Sequence, residues 1–453
     1  MGKIKLCGLL LMGGLFFLVS SCLGNDEDEI DDWALGNAQI ASFSLSNDSI
    51  AGLSNVKFTI DQLNNKIYNK DSMPYGITID KKVLASVGYD NTSYGVMNIL
   101  FVEQATNDSI WGVSDSIDFS APVMITVYSY NGLSTKTYEA KLNVHQVNPD
   151  TMIWYKYADI MSGKTFQNMK VLLYDKFYYL YVSENAGYNL YKSDVFDMAN
   201  WEKLTLSGFP GKAMLSRITE SEGNLYVVSE SGDLFYSTDG QAWSQMNNNM
   251  PIKALLGSLP ASAVTGRYPV LSCITVVDDV LRFVSIDKNN TYTLGGEVPE
   301  TFPLSGFGNF NYETMYHPRL VLASGRDSKN NLSNKAWATM NGTTWASLSN
   351  GEVTFSAREG AAVSYYDDCF FVVGGIDPSG VALKDIFYSK DQGVTWTDTT
   401  YVMAEEYAAR GFSSVIIDKD NYMLLFGGKA ASDANVLNEL WRGRINRLGF
   451  GKD

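Results

Sequence analysis

From about residue 40 to the C-terminus, apolar and polar residues alternate in short runs, separated by clusters of Gly, Asn, Asp and Ser. A period of two puts successive side chains on opposite faces of a pleated backbone, so each run predicts a strand with one buried face. Between residues 33 and 148 the pattern predicts strands at Ile40–Leu45, Val56–Ile60, Tyr75–Ile79, Val123–Tyr128 and Lys136–Val144. Asn131-Gly132 suits the turn of the last hairpin, because glycine accepts a positive φ. The expected unit is a β-sandwich of about 110 residues.

From residue 149 the pattern repeats itself. Ser237-Thr-Asp239-Gly240-Gln-Ala-Trp243 and Ser389-Lys-Asp391-Gln-Gly393-Val-Thr-Trp396 share one design, echoed at Thr339–Trp345 and Ser193–Trp201. In such a turn the aspartate accepts from backbone amides, glycine takes the positive φ, and the tryptophan packs on neighbouring strands. Phe371-Val-Val-Gly-Gly375 and Leu424-Leu-Phe-Gly-Gly428 form a second recurrence, with a weaker form at Leu322–Gly325. The outermost strand of each repeat is expected to start at its tryptophan: Trp154, Trp201, Trp243, Trp345 and Trp396. The interval from Trp243 to Trp345 is double, and Phe302–Leu304 is the candidate for the missing strand. The last repeat has only three strands of its own, and Trp154 precedes the first. The strand at Trp154 is therefore expected to complete the last repeat and close a ring, which removes exposed sheet edges. The fold class expected is all-β: a sandwich followed by a six-bladed β-propeller over 149–453, with seven blades the alternative.

The first residues depart from this pattern. Lys3 and Lys5 precede an apolar run from about Leu9 to Val19, too short to span a bilayer as a helix. Val19-Ser20-Ser21-Cys22 follows, then the acidic stretch Asp26–Asp32. Residues 1–21 resemble a bacterial lipoprotein signal peptide and residues 22–32 a lipidated Cys22 with an acidic linker, similar to a surface-export signal. The resemblance implies a membrane partner through the lipid anchor and an outer-membrane, surface-exposed location.

The segment Asp118–Gly132 with Thr137–Leu142 resembles the Ig-like modules of Bacteroidetes surface lipoproteins. The Gly-Gly strands resemble kelch repeats, and the Ser-Asp-Gly-Trp turns resemble Asp-boxes. Together these features resemble an uncharacterised family of Bacteroidetes surface lipoproteins, which implies architecture and location but no activity.

A net charge of −15 over 453 residues opposes nucleic-acid binding. Outside the leader, Cys273 and Cys369 lack CxxC partners and the only histidines are His145 and His317, so no metal or other cofactor is expected. Both cysteines read as buried apolar groups.

Four arginines precede or open innermost strands: Arg217, Arg267, Arg358 and Arg410. Converging guanidiniums would bind a carboxylate, sulfate or phosphate at the channel mouth, in an anionic glycan or a protein ligand. Alternatively each pairs with a nearby acid such as Glu359, Glu405 or Glu406 and braces adjacent blades. A sialidase would need an arginine triad and a Tyr–Glu pair, and other glycosidases two spaced carboxylates. Asp278-Asp279 and Asp367-Asp368 sit where turns are expected, so no catalytic residue is assigned. Tyr365-Tyr366 and Phe177–Tyr181 are expected to fill space between blades. A non-catalytic binding protein is the preferred reading; a hydrolase or lyase at the channel mouth is the alternative.

Overall fold

The structure is a computed structural model. It describes residues 35–449 except 91–93, 114, 185–186, 248–249, 315 and 350–352. The signal peptide, Cys22 and the acidic linker lie outside the described residues. Two compact units divide between Asn148 and Pro149.

The N-terminal unit contains a sheet of three strands (Ile40–Ser46, Val83–Tyr89, Ser116–Ile117). Its second sheet has six, in the order Phe58–Asp61, Lys66–Asn69, Thr135–Lys141, Val123–Ser129, Val96–Glu103, Ser109–Trp111. One core, including Ile40, Phe43, Ile67, Phe101, Ile125 and Tyr138, joins both sheets. The expected strand at Tyr75–Ile79 does not form. The Ile77 amide bonds back to the Pro74 carbonyl at 3.4 Å, and Gly76 takes φ +87°. Its alternation is turn geometry, while Val83–Tyr89 supplies the partner of the first strand.

The C-terminal unit is a β-propeller, built of antiparallel sheets each running outward from an innermost strand. Sheet 1 comprises Asn168–Tyr174, Phe177–Glu184, Gly187–Asp194 and Asp197–Leu204; sheet 2 runs from Thr219 to Gln245, sheet 3 from Ile252 to Glu297, and sheet 4 from Gly308 to Ser347. Sheet 5 has Ala362–Tyr366, Cys369–Ile376 and Ala382–Ser389, extended by a bridge between Tyr388 and Thr397. Sheet 6 has Ser414–Ile417, Met423–Phe426 and Glu439–Ile445, and its outermost strand is Met152–Asp159 from the other end of the unit. Trp154 pairs with Gly443, and a Cβ on that glycine would meet the indole ring at 2.4 Å. Innermost strands neighbour one another around the whole ring, the Leu215–Arg217 turn standing between sheets 1 and 2.

Phe302–Leu304 is not the outer strand of sheet 3; Tyr292–Glu297 is. Phe302 is instead fully buried against Phe283, Trp337 and Trp345.

Candidate functional site

The starts of the innermost strands surround a central cavity of about 330 Å³. Sheet 1 contributes Asn168–Lys170, the turn before sheet 2 Ala213–Ile218, sheet 4 Ser305–Asn309, sheet 5 Gly360–Val363, and sheet 6 Phe412–Val415. Gly306, Gly360 and Phe412 all take φ near +63°. They are linked by backbone bonds, Gly360 N to Gly306 O at 2.6 Å and Phe412 N to Gly360 O at 2.5 Å.

Of the four arginines expected to converge here, only Arg217 lines the cavity. Arg358 is fully buried and forms a fork on Asp385, with Nη1 to Oδ1 at 2.6 Å and Nη2 to Oδ2 at 2.9 Å. It also donates to the Gly374 carbonyl at 2.9 Å. Arg410 repeats this arrangement, bonding Glu439 at 2.7 Å and the Gly427 carbonyl at 3.2 Å. Each arginine ties the start of its sheet to the second and third strands. The partners are not the neighbouring acids: Glu359 holds Arg326 at 2.6 and 2.7 Å. Arg267 lies elsewhere, donating to the carbonyls of Met340 and Pro260.

The recurring glycine pairs explain the placement. Gly374-Gly375 and Gly427-Gly428 take φ of +59°, +111° and +65°, +103°; Ser324-Gly325 takes +63° and +101°. Positive φ turns the first carbonyl of each glycine pair toward its arginine. Sheet 4 has this bend without the ion pair. Leu304 stands where the others have arginine, and Lys335, whose carbonyl accepts from Ser324 N, stands where they have the acid. The Leu304 carbonyl instead accepts from Arg217 Nη2 at 2.5 Å.

The cavity lining has three cations, Lys170, Arg217 and Lys429, and no aspartate or glutamate among its described residues. Arg217 donates to the Lys253 carbonyl at 3.3 Å, and its guanidinium lies 5.3 Å over the Phe307 ring. Burial without a carboxylate pulls it down to about 10. Lys170, on the innermost strand of sheet 1, is lowered by the same cause. Lys429 is 8% exposed, donates to the Ser432 carbonyl at 3.3 Å, and is lowered by burial against the opposing pull of Asp433. Burial disfavours each charge, for Lys429 against partial compensation by Asp433, so each gains from an incoming anion. Neither lysine was nominated from sequence. The signal for Lys170 was a single charge inside the run Met169-Lys-Val-Leu-Leu173; for Lys429, its place directly after a Gly-Gly pair.

The other sequence candidates are turn and packing residues. Asp239 Oδ1 accepts from the amides of Gln241 and Ala242 and from Ser237 Oγ, Gly240 N donates to Ser237 Oγ, and Trp243 Nε1 donates to the Gly240 carbonyl. Asp391, Ser389, Gly393 and Trp396 repeat the arrangement, with Thr395 N on Asp391 at 2.9 Å. Asp278-Asp279 and Asp367-Asp368 have φ between +49° and +61°, the geometry of two-residue hairpin turns. Tyr178, Tyr179, Tyr181 and Tyr366 are buried, as is Cys273, while Cys369 is partly exposed.

Residues 148–453 match a family described as the DUF6242 beta propeller domain, and residues 35–142 match the DUF6242 N-terminal domain, of unknown function. Nothing among the curated proteins matches the chain. A solved structure similar to it is that of YjhT, at 14% identity and TM-score 0.45, covering 61% of this chain and 95% of that one.

Proposed function

The chain belongs to the DUF6242 family, and we propose that its propeller is a non-catalytic binding module that takes an anionic ligand in the central channel. The observation that carries this reading is the acid-free lining around Lys170, Arg217 and Lys429. In a protein of net charge −15, three recessed cations in a lining without described acids form a site that an anion completes. The same wall supplies hydroxyl and amide partners in Ser216, Asn309 and Ser413, and apolar faces in Phe307 and Phe412. That combination suits a carboxylated or sulfated sugar residue. The channel lining offers no carboxylate pair, so the two-carboxylate glycosidase mechanism has no residues there. A sialidase-like triad is likewise unsupported, because Arg358 and Arg410 are occupied by Asp385 and Glu439.

The six sheets make six blades, with kelch-like arginine–glycine bracing and Asp-box-like turns. We place the protein on the outer face of a membrane, anchored through Cys22. Mass spectrometry of the mature N-terminus tests the anchor: a diacylated Cys22 supports it, and an unmodified start elsewhere overturns it.

Calorimetric titration with glucuronate, galacturonate, N-acetylneuraminate and glucose 6-sulfate, against neutral glucose, tests the channel. Lys170→Met and Lys429→Met are each expected to weaken the anion about tenfold or more, one charge-assisted bond being about 1.5–3 kcal/mol. Binding that both variants retain in full would remove this reading.

A further inference from the structure

A second cavity lies at the far ends of the innermost strands, on the seam between sheets 1 and 6. Its volume is about 280 Å³. Tyr157 from the ring-closing strand and Phe196 from the hairpin between the third and fourth strands of sheet 1 give it aromatic walls. They are 37% and 72% exposed, unlike the buried tyrosines nearby. Leu173, Tyr178 and Met198 add apolar lining. The polar groups are of both signs: Lys176, Lys419 and Arg442 with Asp418 and Asp420, Lys419 pairing with Asp420 at 3.0 Å and lying 5.1 Å over one face of Phe196. The Arg442 guanidinium lies over the Tyr422 ring, 3.5 Å from its centroid, and its buried Nε has no acceptor among the described residues.

The same hairpin borders another cavity, of about 500 Å³, lined by Phe177, Trp201 and Lys192 with Asp194, Asp197 and Glu202, and Lys192 lies 4.7 Å over one face of Phe177. Aromatic surface again stands beside charges of both signs. Val195 and Phe196 face one cavity while Asp194 and Asp197 line the other, so the hairpin tip is a ridge between two similar hollows.

We infer that this ridge is a second binding site, for a neutral oligosaccharide laid across the hairpin with sugar rings against Tyr157 and Phe196 on one side and Phe177 and Trp201 on the other. A sugar ring has an apolar C–H face for an aromatic wall and an edge of hydroxyls that both donate and accept. Mixed charges satisfy such an edge. Laid across both hollows, an anion would meet the acids of the second and a cation the lysines and arginine of the first, and a purely apolar ligand would desolvate them all without replacement. Aromatic rings beside charges of both signs on each side of the hairpin favour a chain of rings over a single one. This site is independent of the channel, whose charges have one sign.

Saturation-transfer NMR on the full chain with cellotriose, maltotriose, laminaritriose, xylotriose and mannotriose tests it. At least one trisaccharide is expected to receive saturation at its ring C–H protons, with affinity reduced about tenfold in Phe196→Ala and Tyr157→Ala. Both side chains are exposed enough that unchanged melting temperatures are expected. Lys170→Met should leave this binding intact, and glucuronate should not compete with it. The inference is overturned if none of the five receives saturation, if both aromatic variants bind like the parent, or if glucuronate displaces the signal.

Discussion

Arg410 carries its charge into a site that is 1% exposed and offers two carbonyls, one carboxylate and the face of Tyr407 at 4.3 Å. Removing one partner of such a pair leaves the other charge poorly compensated. Arg410→Ala and Arg358→Ala are each expected to lower stability by about 3 kcal/mol, read by denaturant unfolding. Lys170→Met removes an unpaired recessed charge and is expected to hold or raise stability in the same assay. The pair also sets an acid limit. Burial pushes Glu439 upward, but hydrogen bonds from Trp441 and Arg410 outweigh it and hold the carboxyl at about 2 instead of 4.5. A depressed carboxyl stabilises the fold above its unfolded value and loses that contribution as pH falls toward the folded one. Melting temperature should therefore drop between pH 4.5 and 2, and Glu439→Gln should flatten that part of the curve. At this scale the sequence announced the arginines but not their partners. Asp385 and Glu439 stand 27 and 29 residues away. Only the register of the third strand brings them back, and no local pattern encodes a register.

Elements were more legible than contacts, because alternation and turn chemistry are local. The ring-closing strand could be inferred from strand bookkeeping alone: a last repeat one strand short and a first tryptophan with no repeat of its own. The failures were equally local. Tyr75–Ile79 alternates like a strand, yet Pro74 and Gly76 bend it. Phe302–Leu304 follows Pro299 and plugs a core instead of lining an edge. Closure rests on Trp154, 6% exposed and seated on the bare backbone of Gly443. Trp154→Ala is expected to cost about 3–5 kcal/mol by thermal or denaturant unfolding. Gly443→Val should be comparably harmful, since its side chain would occupy the position of the indole. Asp391→Ala removes an acceptor from one turn amide and two hydroxyls, with an expected loss of about 1 kcal/mol.

The whole molecule sets a cationic channel inside an acidic body, a reversal of sign that composition concealed. Counting charges along the chain gave the surface, not the lining, and only the ring brings Lys170, Arg217 and Lys429 to one cavity. The arrangement makes a linked pH effect. Without ligand, Lys170 holds its proton less firmly than an ordinary lysine at 10.5, so the empty protein gains stability as pH rises through that window. A bound anion favours the charged form, so affinity should fall over the same window. Calorimetry in buffers of different ionisation enthalpy should show net proton uptake on binding there, and Lys170→Met should reduce it, leaving the share of Arg217 and Lys429. Closure of the ring has a further consequence, for synthesis. The strand at Met152–Asp159 is among the first of its unit to leave the ribosome, while its partner Glu439–Ile445 is among the last. Until Glu439–Ile445 emerges, that strand has no partner and the nascent unit keeps an open sheet edge. A chain stopped short of Glu439 cannot hide it, so truncated products should be degraded or aggregate. Completeness of the propeller is thereby checked by its own first strand.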